Sequence, residues 1–466
     1  MTLSCLLFFT DECKTGTIGY NKHCMEAVYG GIMEKALLVG MNLNNGEDYR
    51  LSLEELESLA DACEMEVVGI VEQNLPEIHK AFYIGTGKVE EVREEAEAQN
   101  VDVVVFDNSL SPMQIRNLQE KIGKPILDRS TLILDIFARR ARSREARLQV
   151  EVARLQYMLP RLVGLHAALS RQGGGSGSLS NKGAGEKKLE LDRRVLEHRL
   201  AEYRRELKEV GAQRMTQRKQ RAVSGMPRVA LVGYTNAGKS TLLNAMLELY
   251  GVDEIDVEEK KVMEKDMLFA TLDTTVRKIA PEGHHAFLLS DTVGFIHKLP
   301  HHLVEAFRST LEEAKEADVL LQVVDYSDRH YKEQIAVTER TLKELGADGI
   351  PMLYVYNKAD KVSAEDIPGG AADENVTDSL PVVVQDGIYL SAREKAGMEE
   401  LVCLIERKLS DSYSECTFLI PYTDGRAVSY LNENAVVHDT EYQENGVLLK
   451  VSCKAEDGKY YEKYRV

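Results

Sequence analysis

The sequence predicts an α/β protein of several domains. Over residues 34–135 and again over 226–410, short apolar runs alternate with helical periodicity, as strands alternate with helices in α/β domains. Leucines at alternating steps of three and four residues lie between these regions and predict two paired helices. The predicted parts are an extension over 1–33, an α/β subdomain over 34–135, a helical stalk over 136–222, a larger α/β domain over 226–410 and a small α+β or β domain over 414–466.

Composition indicates a cytoplasmic protein. The apolar fraction is 44% and the charged fraction 29%, and no stretch reaches the roughly 18 apolar residues of a membrane span. The first residues carry no basic region before their short apolar run, so we expect no secretory signal. The 7 cysteines are scattered without C-x-x-C pairs, which favours a reducing compartment over disulfides or a zinc site.

The stalk is predicted from two leucine patterns that flank a loop. Pro160 lies within the first pattern, so that helix is expected to kink or end there. The first pattern comprises Leu148, Val152, Leu155, Leu159 and Leu162, and the second comprises Leu189, Leu196, Leu200, Tyr203, Leu207 and Val210. Two such helices are expected to pair in an antiparallel arrangement.

Positive charge is concentrated in this stalk, although the chain carries a net charge of −18. Residues 139–221 contain 21 Lys and Arg against 9 Asp and Glu, a net charge of +12. The loop at 171–188 adds six glycines to the cations Arg171, Lys182, Lys187 and Lys188. A solvated helical face with a flexible connector is one interpretation. Contact with RNA phosphates is the one we favour, because a linker needs no lysines.

Residues 85–88, Gly-Thr-Gly-Lys, superficially resemble a phosphate loop between a strand and a helix. The full spacing of a nucleotide-binding fingerprint is absent, so a conformational role for these glycines is favoured.

A complete phosphate-binding motif begins the larger α/β domain. The segment RVALVGYTNAGKSTLLNAM reads as a buried strand, a glycine loop and a helix, and it fits G-x-x-x-x-G-K-[ST]. Lys239 is predicted to neutralise the β- and γ-phosphates, and the Ser240 hydroxyl to bind Mg²⁺. The predicted loop comprises Gly233, Tyr234, Thr235, Asn236, Ala237, Gly238, Lys239 and Ser240.

The segment AFLLSDTVGF supplies the next part of the predicted site. Asp291 ends an apolar strand, where its carboxylate is expected to hold the Mg²⁺ shell through water, and Gly294 offers its amide to the γ-phosphate. Thr292 and Val293 lie between them. The following Phe295 stands where many regulatory GTPases have a water-orienting Gln, so slow intrinsic hydrolysis is expected. The predicted catalytic positions are therefore Lys239, Gly294 and Phe295.

Two short motifs predict guanine as the base. YVYNKAD is a buried strand that ends in Asn357, Lys358, Ala359 and Asp360, and IYLSAR supplies Ser391, Ala392 and Arg393. The Asp360 carboxylate accepts from the ring N–H and the exocyclic amine of guanine, a donor pair that adenine lacks. The order of these motifs after the phosphate loop predicts a P-loop GTPase domain.

The segment FATLDTTVRK supplies threonines for a loop that closes on Mg²⁺. Thr271, Thr274 and Thr275 are equivalent by spacing, and plain strand remains an alternative for this run. Asn236 is a candidate ligand for K⁺, whose charge would lie against the phosphates.

Taken together, these motifs resemble those of the HflX family of translation-associated GTPases. The resemblance covers about residues 34–466 and rests on GYTNAGKS, FATLD, DTVGF and NKAD, together with YIGTGKVEE, LSPMQIRNLQEKIGKPILDRSTLILDIFARRA, LQVEVARLQYMLPRL and GEKKLELDRR. It implies an α/β subdomain with a helical stalk, a GTPase domain, and binding to the large ribosomal subunit with rescue or splitting of stalled ribosomes. It also implies Thr271 as the Mg²⁺ ligand, within a nucleotide-contacting stretch of Phe269, Ala270, Thr271, Leu272 and Asp273.

Two segments depart from the usual family patterns. Where the family usually reads TLDPTTR, this chain has Thr274 in place of the proline and Val276 in place of the second threonine. Where the family usually reads GETQLETD, Lys187 and Lys188 replace the Thr-Gln pair. These differences bear on the Mg²⁺ loop and on the tip of the glycine loop.

The expected function is that of a GTP-dependent ribosome-binding protein, monomeric off the ribosome. Two alternatives remain: a GTPase that assists RNA modification with a partner enzyme, and an RNA-binding adaptor that binds GTP but hardly hydrolyses it.

Overall fold

The computed structural model of the protein describes residues 33–43, 49–171, 190–191, 193–212, 226–251, 269, 275–298, 308–368, 380–454, 458 and 460–466. The extension predicted over 1–33 lies outside this part of the chain except for Met33. No helix among these residues is long and apolar enough to cross a bilayer.

The N-terminal region forms a parallel four-stranded sheet in the order β2-β1-β3-β4. Its elements are β1 (Glu34–Asn42), α1 (Tyr49–Ala62), β2 (Met65–Asn74), α2 (Thr86–Ala98), β3 (Val103–Phe106), α3 (Pro112–Ile122), β4 (Ile126–Asp128) and α4 (Arg129–Arg140). Helices cover both faces of the sheet, so the β3 sequence VVVF is buried throughout. The predicted α/β fold of this region is confirmed.

The glycines at 85–88 form the start of α2. Gly85 precedes the helix, and its N–H donates to the Gln73 side-chain oxygen at 2.9 Å. A Cβ at Gly85 would lie 3.0 Å from the Gln73 amide nitrogen, whereas Gly87 has no atom within 4 Å of such a position. These contacts support a conformational role at Gly85.

The stalk consists of two long antiparallel helices. The first, α5 (Arg144–Arg171), contains Pro160 and continues beyond it, so the expected alternative that the helix ends at the proline is wrong. The second, α6, covers 193–212. A small apolar cluster of Val152, Leu155, Leu196 and Leu200 joins them, as the leucine pattern predicts, and an ion pair of 2.8 Å links Arg144 to Glu206.

The larger domain is a seven-stranded sheet in the order β10-β11-β9-β8-β5-β7-β6. The pairs β6–β7 and β10–β11 are antiparallel, and the others are parallel. The elements are β5 (Arg228–Gly233), α7 (Lys239–Tyr250), β6 (Thr275–Ile279), β7 (Phe287–Asp291), α8 (Arg308–Lys315), β8 (Val319–Asp325), α9 (Tyr331–Leu345), β9 (Met352–Asn357), β10 (Val382–Val384), β11 (Gly387–Tyr389) and α10 (Met398–Ser412). The motif-bearing loops follow the carboxyl ends of β5, β7 and β9; β5 and β7 are neighbours in the sheet, and β8 lies between β5 and β9.

The chain ends in a small α+β unit. It comprises β12 (Tyr413–Ile420), α11 (Gly425–Asn434), β13 (Val436–Gln443) and β14 (Gly446–Lys454), with the antiparallel order β12-β14-β13. The strands β13 and β14 form a hairpin, in which Gln443 pairs with Gly446 across the turn. The chain is thus an α/β protein of the predicted class.

Candidate nucleotide-binding site

The loop between β5 and α7 has a backbone that requires glycine at two positions. Gly233 has φ 146° and Gly238 has φ 93°, both in the region that other residues rarely adopt. A Cβ at Gly233 would lie 2.2 Å from the Val323 carbonyl oxygen, and one at Gly238 would lie 2.2 Å from the Asn357 side-chain nitrogen. Gly238 precedes α7 and has no side chain that could cap the helix. The first N–H groups of α7 are therefore left without a side-chain acceptor at the loop, where an anion can bind them.

Lys239 is held in the centre of this loop. Its side chain is 6% exposed, and its ammonium donates to the carbonyl oxygens of Gly233 at 3.0 Å and Tyr234 at 2.6 Å. Burial lowers the pKa of Lys239 to about 8, although the nearby Asp291 carboxylate acts in the opposite direction. A buried cation at the start of a helix creates a strong preference for an anion.

Ser240 and Asp291 place two oxygen-bearing groups beside Lys239. Asp291 is fully buried at the end of β7, and its carboxylate accepts from the Ser240 hydroxyl at 2.9 Å. The next residue, Thr292, donates its hydroxyl to the Leu231 carbonyl at 2.7 Å and thereby ties this end of β7 to β5. A hydroxyl and a carboxylate at this separation are the kind of oxygen donors that Mg²⁺ binds.

The segment after Asp291 pairs directly with the phosphate loop. The Thr235 N–H donates to the Phe295 carbonyl at 2.8 Å, and the Phe295 N–H donates to the Gly233 carbonyl at 3.1 Å. Gly294 is packed so closely that a Cβ there would lie 2.9 Å from the Thr235 Cα and 3.1 Å from the Lys239 ammonium. The Phe295 ring is 2% exposed within the core. As a hydrocarbon, it has no polar group with which to orient a water.

Asn357 connects the phosphate loop with the two loops that are predicted to bind the base. Its side-chain nitrogen donates to the Ala237 carbonyl at 3.0 Å, and its side-chain oxygen accepts from the Ala392 N–H at 3.0 Å. Asn357 is 2% exposed, so both bonds are shielded from water. The two motifs NKAD and SAR, which are far apart in sequence, therefore meet at this side chain.

Lys358 lies across the same region in a left-handed backbone conformation, with φ 59°. Its ammonium donates to the Asn236 carbonyl at 2.7 Å and pairs with Asp325 at 2.6 Å. Asp325, which ends β8, has no part in the sequence-based prediction. The only signal for it is an acid at the end of the apolar run VLLQVVD.

The other residues predicted to contact the base follow the ends of β9 and β11. Asp360 is half-buried in a short 3₁₀ turn after Lys358, and Ser391 and Ala392 are buried, whereas Arg393 is exposed. The Ser391 hydroxyl accepts from the Glu394 N–H at 3.3 Å, which shapes this turn.

Other predicted residues lie elsewhere or outside the described residues. The Phe269 ring packs edge-on against Phe137 of α4, with ring centroids 4.5 Å apart. The Tyr234 hydroxyl donates to Glu55 of α1, so only the backbone of Tyr234 belongs to the loop interior. Ala270, Thr271, Leu272 and Asp273 lie outside the described residues, as do Lys182, Lys187 and Lys188, and nothing is described of the Arg171 side chain.

The fold and this loop together define a P-loop GTPase. A family model described as "50S ribosome-binding GTPase" matches residues 228–358. Models described as "GTP-binding GTPase N-terminal" and "GTP-binding GTPase Middle Region" match residues 50–138 and 140–221.

The chain belongs to the HflX family of GTPases. It is 45% identical over 436 residues to the GTPase HflX of Caldanaerobacter subterraneus, covering 93% of this chain and 94% of that protein. It is 37% identical over 413 residues to the GTPase HflX of Escherichia coli, covering 89% of this chain and 92% of that protein. A solved GTP-binding protein from Sulfolobus solfataricus in complex with GDP is 24% identical, with a TM-score of 0.39, covering 81% of this chain and 99% of that one.

Proposed function

We propose that this GTPase binds the large ribosomal subunit and its RNA, and that it rescues or splits stalled ribosomes, with GTP favouring the bound state. The observation that carries the proposal is the basic stalk. Residues 139–221, which include both stalk helices and the sequence between them, carry a net charge of +12, whereas the whole chain carries −18. Such a local excess of cations favours a polyanionic partner.

The shape of the stalk supports an RNA partner. The α5 helix has 28 residues, which corresponds to about 42 Å of helix. The second helix exposes Arg204, Arg205 and Lys208. We propose that the loop over 171–188, with Arg171, Lys182, Lys187 and Lys188, also contacts RNA. Family membership supports the same partner, because the matching GTPase model is described as ribosome-binding.

In the nucleotide site, we propose that residues 233–240 bind the phosphates and that Gly294 contacts the γ-phosphate. Ser240, Thr271 and Asp291 would hold Mg²⁺, Asp291 through water. The 2.9 Å contact between the Ser240 hydroxyl and the Asp291 carboxylate supports this oxygen-donor set. Mg²⁺ supplies positive charge that offsets the charge on the phosphate oxygens.

For the base, we propose that Asp360 accepts from guanine, that Lys358 lies along it, and that residues 391–393 complete the pocket. The hydrogen bonds of Asn357 to Ala237 and Ala392 support this assignment, because they hold the base loops against the phosphate loop.

The experiment is GTP turnover by the purified chain, alone and with purified large ribosomal subunits, at fixed Mg²⁺ and K⁺. We expect slow turnover alone and at least about ten-fold stimulation by the subunits, in the range that a completed GTPase site provides. Small ribosomal subunits at equal concentration are the control for nonspecific RNA binding.

Normal GTP binding without stimulation would contradict the ribosome proposal. It would favour the adaptor, or the RNA-modification alternative if a partner enzyme stimulates turnover instead. A parallel series in Na⁺ tests Asn236 as a K⁺ ligand, and equal rates in the two salts would exclude that role.

A further inference from the structure

An acid outside the predicted motifs lies between the phosphate loop and the base loop. The strands β5, β8 and β9 are neighbours in the sheet and run parallel, so their carboxyl ends meet at one edge. The phosphate loop follows β5, and the NKAD segment begins at the last residue of β9. Asp325 is the last residue of β8, the strand between them. Its carboxylate is therefore placed where one side chain can act on both loops.

The Asp325 carboxylate is held in place by its own loop. One oxygen accepts from the Ser327 N–H at 3.1 Å and from the Ser327 hydroxyl at 2.6 Å. The next residue, Tyr326, donates its N–H to the Asn357 carbonyl at 2.9 Å and its hydroxyl to the Asp366 carbonyl at 2.7 Å. These bonds fix the backbone around Asp325 and one of its two oxygens.

The other oxygen of Asp325 holds the Lys358 ammonium. The two atoms are 2.6 Å apart, and each of the two side chains is 16% exposed. The same ammonium donates to the Asn236 carbonyl of the phosphate loop at 2.7 Å. Charge-assisted bonds that are shielded from water in this way are stronger than ion pairs on an open surface. Lys358 therefore connects its own loop with both β8 and the phosphate loop.

Both residues that this ammonium connects have a left-handed backbone. Lys358 and Asn236 each have φ 59° without being glycine. Such conformations persist where the surrounding contacts determine them. Without Asp325, Lys358 loses one of its two described acceptors, and its long side chain regains rotational freedom. The Asp325 carboxylate is thus the contact that selects one conformation for this side chain.

The conformation of Lys358 affects the base, a step that rests on the proposed function, in which Lys358 lies along guanine. A lysine stem that is fixed through its ammonium offers its methylene groups to a purine ring. A stem that is free to rotate must instead be ordered when the nucleotide binds, which weakens binding. Asp325 orders this stem before the nucleotide arrives.

We propose that Asp325 is a positioning residue for guanine nucleotides. It fixes the Lys358 side chain along the base and ties the base loop to the phosphate loop, so it slows the dissociation of GDP. It acts through Lys358 on the face of the ring, whereas Asp360 is assigned to the edge that distinguishes guanine. Inosine diphosphate, which has the same ring system without the exocyclic amine, therefore depends on Asp325 as strongly as GDP does.

The test is a double-mutant cycle on the full chain, with the dissociation rates of ribose-labelled fluorescent GDP and inosine diphosphate as readout. Asp325→Asn keeps the shape of the acid and removes its charge. We expect it to raise both rates about ten-fold, the effect of one hydrogen bond to a charged group. Asp325→Glu, which keeps the charge, should lie closer to the wild type.

Lys358→Met completes the cycle, because it keeps the stem and removes the ammonium. Alone, it should raise both rates at least as much as Asp325→Asn. In the Lys358→Met background, Asp325→Asn should have no further effect, since the acid then has no ammonium to position. An acid that served only the stability of the fold would instead show its full effect in both backgrounds.

The matched control is Asp386→Asn, which breaks another ion pair between an aspartate and a lysine in the same domain. Asp386 pairs with Lys408 at 3.0 Å and is 58% exposed. This variant should keep the wild-type rates. Thermal unfolding identifies any variant that fails to fold.

Three results would overturn the proposal. They are a wild-type rate in folded Asp325→Asn, an undiminished effect of that change in the Lys358→Met background, and a smaller effect on inosine diphosphate than on GDP. Faster dissociation from Asp325→Glu than from Asp325→Asn would also contradict it. A wild-type rate in Lys358→Met would contradict the proposed base site itself, and the role of Asp325 with it.

Discussion

Several residues around the nucleotide site have backbone conformations that their side chains disfavour. Asn236, Lys358 and Phe269 have φ of 59°, 59° and 54° without being glycine. Each costs about 1 kcal/mol relative to an extended or helical conformation. For Lys358, the hydrogen bond to the Asn236 carbonyl and the ion pair with Asp325 offset this cost. Contacts between loops therefore determine the local backbone.

Asp360 provides a direct test of base recognition. Asp360→Asn replaces one acceptor oxygen with an amide donor, which suits the C2 carbonyl of xanthine and opposes the exocyclic amine of guanine. We expect GDP affinity to fall by at least about 100-fold, because a desolvated donor is then left facing a donor. Xanthosine diphosphate should bind more tightly than GDP to this variant.

Competition binding with GDP, ADP and xanthosine diphosphate measures the change. Asp366→Asn, at an acid farther along the same loop, is the control. Undiminished GDP binding by Asp360→Asn would show that another group recognises the base.

In the described part of the chain, the two stalk helices share a small apolar core. Four buried side chains join α5 to α6, and they are between 5% and 9% exposed. Exposed pairs such as Arg193 with Glu197, at 2.8 Å, add little stability. Among the described residues, the contacts that pair these helices come mainly from three leucines and a valine.

Leu155→Ala should separate the stalk helices without affecting the nucleotide site. Leucine truncation in a core costs about 2–5 kcal/mol, and this small cluster belongs at the lower end. Amide hydrogen exchange should speed up in α6, while GDP affinity stays the same. Val195→Ala, at a side chain that is 50% exposed, should leave exchange unchanged. Unaltered protection in Leu155→Ala would show that other contacts hold the helices together.

Across the chain, the N-terminal and GTPase domains share a continuous apolar core. One cluster of buried side chains includes Leu38 and Phe137 from the first domain and Val232, Phe269 and Phe295 from the second. The polar contacts of Glu55 and Asp107 lie at the same junction. We infer that the two domains unfold as one cooperative unit.

Glu55 should make the stability of this unit depend on pH. Burial raises the pKa of Glu55 from 4.5 to about 7, while the facing Arg129 and Lys298 lower it and Asp107 raises it. The folded state therefore keeps a proton that the unfolded chain releases above pH 4.5. The stabilisation from this group is complete below pH 4.5 and is lost as the pH rises toward about 7.

Urea unfolding at a series of pH values measures this effect. The free energy of unfolding should fall more steeply between pH 5 and about 7.5 in the wild type than in Glu55→Gln, whose side chain cannot titrate. Glu54→Gln, at the exposed neighbour, should retain the wild-type slope. Equal slopes in all three proteins would contradict a raised pKa at Glu55.

The GTPase fold and the family were predictable from sequence, because the evidence for them is local. The glycines at 233 and 238, the following lysine and serine, and the strand before them all lie between Arg228 and Ser240. The leucine spacing likewise predicted the pairing of α5 and α6. The sequence left open whether α5 ends at Pro160 or continues through it, because helix ends depend on packing as well as on local preference.

The contacts between domains join residues that are far apart in sequence, and no local sequence pattern relates such residues to each other. Glu55 and Tyr234 are 179 residues apart in sequence, and Asp107 and Lys298 are 191 apart. In sequence, Glu55 is one of many acids on an amphipathic helix, and Lys298 is an ordinary loop lysine. Motifs and periodicities predict which elements form and which loop is expected to bind phosphate, since these predictions follow from neighbouring residues. Folding brings Glu55, Asp107 and Arg129 out of water against the GTPase domain, and burial alone distinguishes these charges from those on the surface.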